Sequence, residues 1–177
     1  MVTLNITPTP RLRDWQQALT ATNKQLQIAA TRAVNKTARW ARTQVARQTA
    51  NALSVNVSAV RQGLVLVRAK QSNPHSVVGL SKGSGVIKAK QLGSVSQNAS
   101  GVRAGRRQFD RAFLATMPNG HQGVFRRRGK ARLPIQEVQL VVTGKMKQVM
   151  DDLASGPALK QFELIFQREL RYLLRAA

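Results

Sequence analysis

The densest group of chemistry-bearing side chains is Arg126-Arg127-Arg128-Gly129-Lys130-Ala131-Arg132. Guanidinium forks hold phosphate or carboxylate oxygens through two parallel hydrogen bonds, so a run of this kind suits an anionic partner. Arg128-Gly129-Lys130 reads as a tight turn, which predicts a basic hairpin tip able to project into a groove or lumen. Two further groups accompany it. Arg32, Lys36, Arg39 and Arg47 cluster on one side of a helix at 100° per residue. Arg103, Arg106 and Arg107 fall in a polar segment whose flexibility would let it order on an anion. The bland alternative for the tip is a solvated hairpin that only aids solubility. Total charge, however, is far beyond what solubility needs.

Other titratable residues offer no active site. No carboxylate stands between Asp14 and Asp110, and Asp151 and Asp152 are adjacent, so on a helix they diverge by about 100°. His75 and His121 both sit beside turn residues, and with no cysteine a metal site lacks ligands. Ser81-Lys82-Gly83-Ser84-Gly85 lacks the spacing of a phosphate loop and reads as a hairpin loop. The expectation is a non-enzyme with no cofactor and no metal.

Composition sharpens the expectation about partners. The chain has 177 residues, with 29 Lys and Arg against 7 Asp and Glu, a formal net charge of +22. Such a surface repels itself and calls for an anionic neighbour: nucleic acid first, an anionic membrane second, an acidic protein third. Hydrophobic residues at 42% suffice for a core, and aromatics at 5% make that core mainly aliphatic. The few aromatics and the lack of any base-reading motif favour phosphate contact over base readout. No apolar run approaches a membrane span. Met1 to Pro8 lacks the pattern of a secretory leader, so synthesis in the cytoplasm is expected.

These groups need elements to hold them. Thr7-Pro8-Thr9-Pro10 is an extended entry, part of an arm over residues 1–13, and Asp14 suits an N-cap. From Trp15 to about Ala52 there is no Gly or Pro, which predicts one long helix. Its apolar face is rich in alanine, suited to close packing by a sheet or by another subunit's helix; Trp15 and Trp40 lie on that face. A short helix over Ala59–Gln62 and strands over Leu64–Lys70, Ser76–Leu80 and Val86–Lys90 follow. Residues 93–105 read as a mobile loop, and Phe109–Met117 as a short helix or irregular segment. Gly123–Arg127 is a strand with Ala131–Leu133 as its return; Gln136–Val142 could be strand. Gly144–Leu153 and the segment after Ser155-Gly156-Pro157 are helical. The order predicts a single α+β domain over residues 1–177: a long N-terminal helix and C-terminal helices packed on a small, mainly antiparallel sheet.

The stretch from Asn119 to Ile135 resembles the tail-completion family of long-tailed phages, the minor tail protein Z group. The pattern is an aromatic, then Arg, Gly and Arg-Leu-Pro-Ile, here Phe125, Arg127, Gly129, Arg132, Leu133, Pro134 and Ile135. The Ala- and Arg-rich helix from Ala29 to Ala50, and the late Ser155-Gly156-Pro157 before a terminal amphipathic helix, also fit. The resemblance implies a virion structural protein at the head-proximal end of the tail, completing it for joining to the filled head. It further implies partners among other tail and neck proteins, a homo-oligomeric ring for which the tail would impose sixfold symmetry, and passage of virion double-stranded DNA past the basic groups.

Two rival readings remain at this stage. A free, non-specific nucleic-acid-binding protein would bind DNA tightly as a monomer. A membrane-surface protein would insert its amphipathic N-terminal helix, but a face of mostly Ala and Thr inserts poorly.

Overall fold

Alanine dominates the buried side of the first helix, α1, which runs from Asn23 to Leu53. The computed structural model describes residues 3–6, 23–81 and 85–175. Over 31 residues α1 is about 46 Å long. Leu26, Ala29, Ala33, Val34, Thr37, Ala38, Ala41, Val45, Ala46, Thr49 and Ala50 are buried, the three-and-four spacing of one helical stripe. Asp14, Trp15 and the start of the expected helix lie outside the described residues. The helix ends on a Schellman turn: Ser54 takes a left-handed φ of 53°, and the N–H of Val55 donates to the carbonyl of Ala50 at 3.0 Å.

The fold is α+β. Among the described residues every strand pairing is antiparallel, and in place of the single expected sheet there are four small ones. The chain divides into two compact units.

Unit one comprises Met1–Val45, Leu64–Leu80 and Lys147–Ala177. Its sheet is ordered β1-β3-β2, from β1 (Thr3–Ile6), β2 (Leu64–Val67) and β3 (Ser76–Leu80). The core gathers Val34, Val78, Met150, Phe162 and Phe166, the last two rings stacked at 5.8 Å. The Asn35 side chain ties α1 to the chain beyond β2. Its amide donates to the carbonyl of Ala69 at 3.0 Å and its oxygen accepts from the Ala69 N–H at 2.9 Å. One amide side chain thereby supplies both hydrogen bonds that a neighbouring strand would.

Unit two comprises Ala46–Gly63 and Ser81–Met146. It holds the end of α1, the short helix α2 (Val57–Gln62), capped by Asn56, and three sheets. Strand β4 (Val86–Lys88) pairs with β11 (Gln139–Val141). Strands β5 (Val95–Asn98), β6 (Gly101–Ala104) and β7 (Arg107–Asp110) form a meander. Strand β9 (Gln122–Arg127) lies between β8 (Ala112–Thr116) and β10 (Ile135–Glu137). Val138 carries the chain between sheets: its N–H donates to Val124 at 2.8 Å while its carbonyl accepts from Ala89 at 2.9 Å. Helix α3 (Thr143–Ala154), which unit one takes over from Lys147, and helix α4 (Pro157–Arg175), in unit one, follow as expected.

Three local readings are corrected. Residues 93–105, expected as a loop, contain the β5–β6 hairpin. Val102 and Ala104 turn inward while Arg103 turns outward, so the polar composition belongs to one face of a strand pair. Gly105, at φ 56°, occupies the two-residue β6–β7 turn, where positive φ is required. Phe109–Met117, expected as helix or irregular, is strand, the end of β7 and all of β8. Finally, the return strand of the basic hairpin begins at Ile135 and not at Ala131, which leaves a tip of residues 128–134.

Candidate anion-binding surface

Strand alternation sorts the basic hairpin. On β9, Val124 and Arg126 point to one face, and Gly123, Phe125 and Arg127 to the other. Phe125 is buried, and its ring lies 6.4 Å from that of Phe113 on β8. Arg127 sits over Phe113, its guanidinium carbon 5.8 Å from the ring centroid, a cation–π contact that fixes its direction. Arg126 faces Ala112 on one side and Gln136 on the other. Beyond the ladder, Arg128 closes the tip through its N–H, which donates to the carbonyl of Pro134 at 3.1 Å. Arg126, Arg128, Lys130 and Arg132 are exposed, and among the described residues their side chains have no ion-pair or hydrogen-bond partner. The structure thus brings five of the expected residues to one end of the β8–β9–β10 sheet.

The other two groups divide. In unit one, Lys36 bonds the carboxylate of Glu169 on α4, and Arg32 approaches the same carboxylate at 3.8 Å. That carboxylate is only 11% exposed, so these two cations neutralise a nearly buried acid. Arg39 stays exposed, with only a 3.4 Å bond from its Nε to the Asn35 carbonyl. In unit two, Arg107 is spent on the end of α1, donating to the Leu53 carbonyl at 2.8 Å. Arg103 and Arg106 are exposed and unpaired among the described residues.

Sequence reading missed two features here. One is Arg111, the single residue linking β7 to β8, which takes a left-handed φ of 57° and carries an exposed side chain. No spacing rule marks an arginine in a conformation that glycine or asparagine normally fills. The other is a cross-strand cluster around Glu137 on β10. One carboxylate oxygen lies 2.9 Å from Lys88 Nζ on β4, the other 3.0 Å from His121 Nε2. The His121 ring meets Phe125 edge-on, at 6.2 Å and 89°. Burial alone would raise the Glu137 pKa. The hydrogen bonds from Lys88 and then His121, with their charges, outweigh it and hold the group below its ordinary 4.5. The cluster pins β4 and β10 together with the approach to β9. It joins the strands as a three-membered ion-pair cluster.

Charge is unevenly shared between the units. Unit two carries 15 of the 29 Lys and Arg residues and only two of the seven acids, Asp110 and Glu137. With Glu137 neutralised internally, Asp110 is the one acid there without an ion-pair partner among the described residues. This surface can hold a polyanion by phosphate or carboxylate oxygens. The Phe113 and Phe125 rings are engaged in packing, which leaves the cations as the groups this sheet end offers a ligand.

Among the described residues no three His, Asp or Glu side chains are placed to share a metal ion. No helix among them is long and apolar enough to cross a membrane. No curated protein and no solved structure matches the chain. The model of a phage family, prophage minor tail protein Z, matches residues 16–176, a span holding the basic hairpin, α1 and both terminal helices. The chain therefore belongs to the prophage minor tail protein Z family, structural proteins of the phage tail.

Proposed function

We propose that the chain completes the tail at its head-proximal end, in a ring of copies around the DNA passage, with the basic surface of unit two turned toward DNA or an acidic neighbouring ring. The observation that carries this reading is the charge of unit two, fifteen cations against one unneutralised acid. A tail passage is where such a surface meets phosphates. A closed ring uses a head-to-tail interface between unlike patches, and a tail would impose sixfold symmetry on it. Exposed Leu133, 67% accessible beside Arg132, gives the tip an apolar point for a protein neighbour as well as cations for an anion.

The test is localisation. Particles carrying a C-terminally tagged copy are examined by gold labelling in the electron microscope. Label at the head–tail junction supports the reading. Label elsewhere on the tail removes the head-proximal placement, and unlabelled particles with tagged protein free in the lysate favour a soluble DNA binder. Replacing Arg126, Arg127 and Arg128 together by Ser tests the surface itself. The fold should persist, at the loss of one cation–π contact of about 0.5–1 kcal/mol, while infectious yield drops. Normal yield removes the hairpin from the account.

A further inference from the structure

We infer that Arg111 is a phosphate-contacting residue of the unit-two surface, and that the surface takes the backbone of double-stranded DNA. This rests on the DNA-facing reading, adds to it the residue Arg111, and takes DNA rather than an acidic protein ring as what the surface meets.

The placement comes from the ladder. Ala112 pairs with Arg126, so Arg111 stands one residue beyond the β8–β9 pairing, at the same end as Arg127 and Arg128. Its N–H donates to the Ser100 carbonyl at 2.9 Å, which fixes the backbone there. The conformation costs an L side chain about 1 kcal/mol that glycine would not incur. The Arg111 side chain is exposed and, among the described residues, has no hydrogen-bond or ion-pair partner; adjacent Asp110 makes no ion pair with it. A strained backbone that aims an unpartnered cation outward points to a ligand outside the chain.

The chemistry of that ligand follows from the rest of the sheet end. Arg126, Arg128, Lys130 and Arg132 have no partner among the described residues, and Arg127 is stacked on Phe113. A row of exposed cations at one sheet end, with the Phe113 and Phe125 rings packed against each other, fits the repeating phosphates of a duplex.

The experiment uses the full chain and a fluorescent random-sequence 30-base-pair duplex, titrated between 50 and 300 mM NaCl. Each phosphate contact contributes about −0.9 to the slope of log K against log salt. Arg111→Gly removes the charge and relaxes the backbone, so its thermal midpoint should be equal or higher and misfolding cannot mimic the result. The expected outcome is a slope shallower by about 1 and binding weaker by about threefold to tenfold near 150 mM salt. Arg171→Gln, an exposed cation on α4 in unit one, should change neither. If Arg111→Gly binds like the parent protein, the assignment of Arg111 is overturned and the DNA-facing reading stands. A parent protein that binds no duplex in this range defeats both. Equal affinity for poly-glutamate, with equal dependence on Arg111, overturns the duplex as the partner.

Discussion

Arg107 donates its Nε hydrogen to the carbonyl oxygen of Leu53 at 2.8 Å, joining a strand residue to the last turn of α1. That carbonyl belongs to the group that a helix leaves without internal partners, and it carries the negative end of the helix dipole. Arg107 is therefore a helix cap drawn from the sheet, although Arg103 and Arg106 just before it are exposed cations without an ion pair among the described residues. Arg107→Ala should cost about 1–2 kcal/mol of unfolding free energy, and Arg103→Ala within about 0.5. Urea midpoints of the two variants separate the roles; equal midpoints would refute the distinction.

Glu169 sets the second expectation. Its carboxylate is nearly buried, and both of its cations reach it from half-exposed positions. A double-mutant cycle on Lys36 and Glu169 should return a coupling of about 1 kcal/mol, kept small by solvent around the lysine. Glu169→Ala alone should cost more than Lys36→Ala, because it also opens a gap beside Leu170 and Phe166 on the inner face of α4. A coupling of zero by chemical denaturation would show the pair to be incidental.

Acid should act through Glu137. Its folded-state pKa lies below the ordinary 4.5, so the unfolded chain binds a proton more readily than the folded one. The stabilisation is fully present above the unfolded value and is lost as pH falls through the lower folded value. Stability followed from pH 6 down to pH 3 should decline less for Glu137→Gln than for the parent. Parallel declines would assign acid sensitivity to other carboxylates.

Two glycines in unit two should respond oppositely to alanine. Gly129 sits in the basic tip with open space where a Cβ would go, so Gly129→Ala should stay within about 0.5 kcal/mol. Gly105 has φ 56°, and a Cβ there would collide with the backbone carbonyl of Leu92. Gly105→Ala should cost more than about 1 kcal/mol, read as a lower thermal midpoint. Similar midpoints for both variants would mean the β6–β7 turn relaxes freely.

The elements legible in the sequence were those whose signal is local and repeated. Alanine spacing without Gly or Pro located α1 to within a residue of its C-terminus, and Ser76–Leu80 and Pro157 marked β3 and α4. The β5–β6 hairpin was hidden because its outward face is polar, and the inward side mixes Val95, Val102 and Ala104 with the polar Gln97. The end of the basic hairpin was misplaced because Arg132 and Leu133 resemble strand residues by type, whereas the pairing partner of Arg127 is Ile135. For the candidate surface, residue type identified the cations but not which are free. Lys36 and Arg107 look like Arg128 in sequence, and only the three-dimensional positions of Glu169 and the Leu53 carbonyl separate them. Arg111 was invisible for the complementary reason: its distinction is a backbone angle.

The lopsided charge of unit two has an osmotic side. Fifteen cations on 84 residues hold a dense cloud of mobile anions in dilute buffer. Where copies stand shoulder to shoulder those clouds overlap, and the crowded small ions push the copies apart. A passing polyanion replaces many loosely held ions with one molecule and sets them free, a gain in entropy that grows as the medium becomes more dilute. Any array of these copies should therefore tighten when nucleic acid enters it and loosen when it leaves.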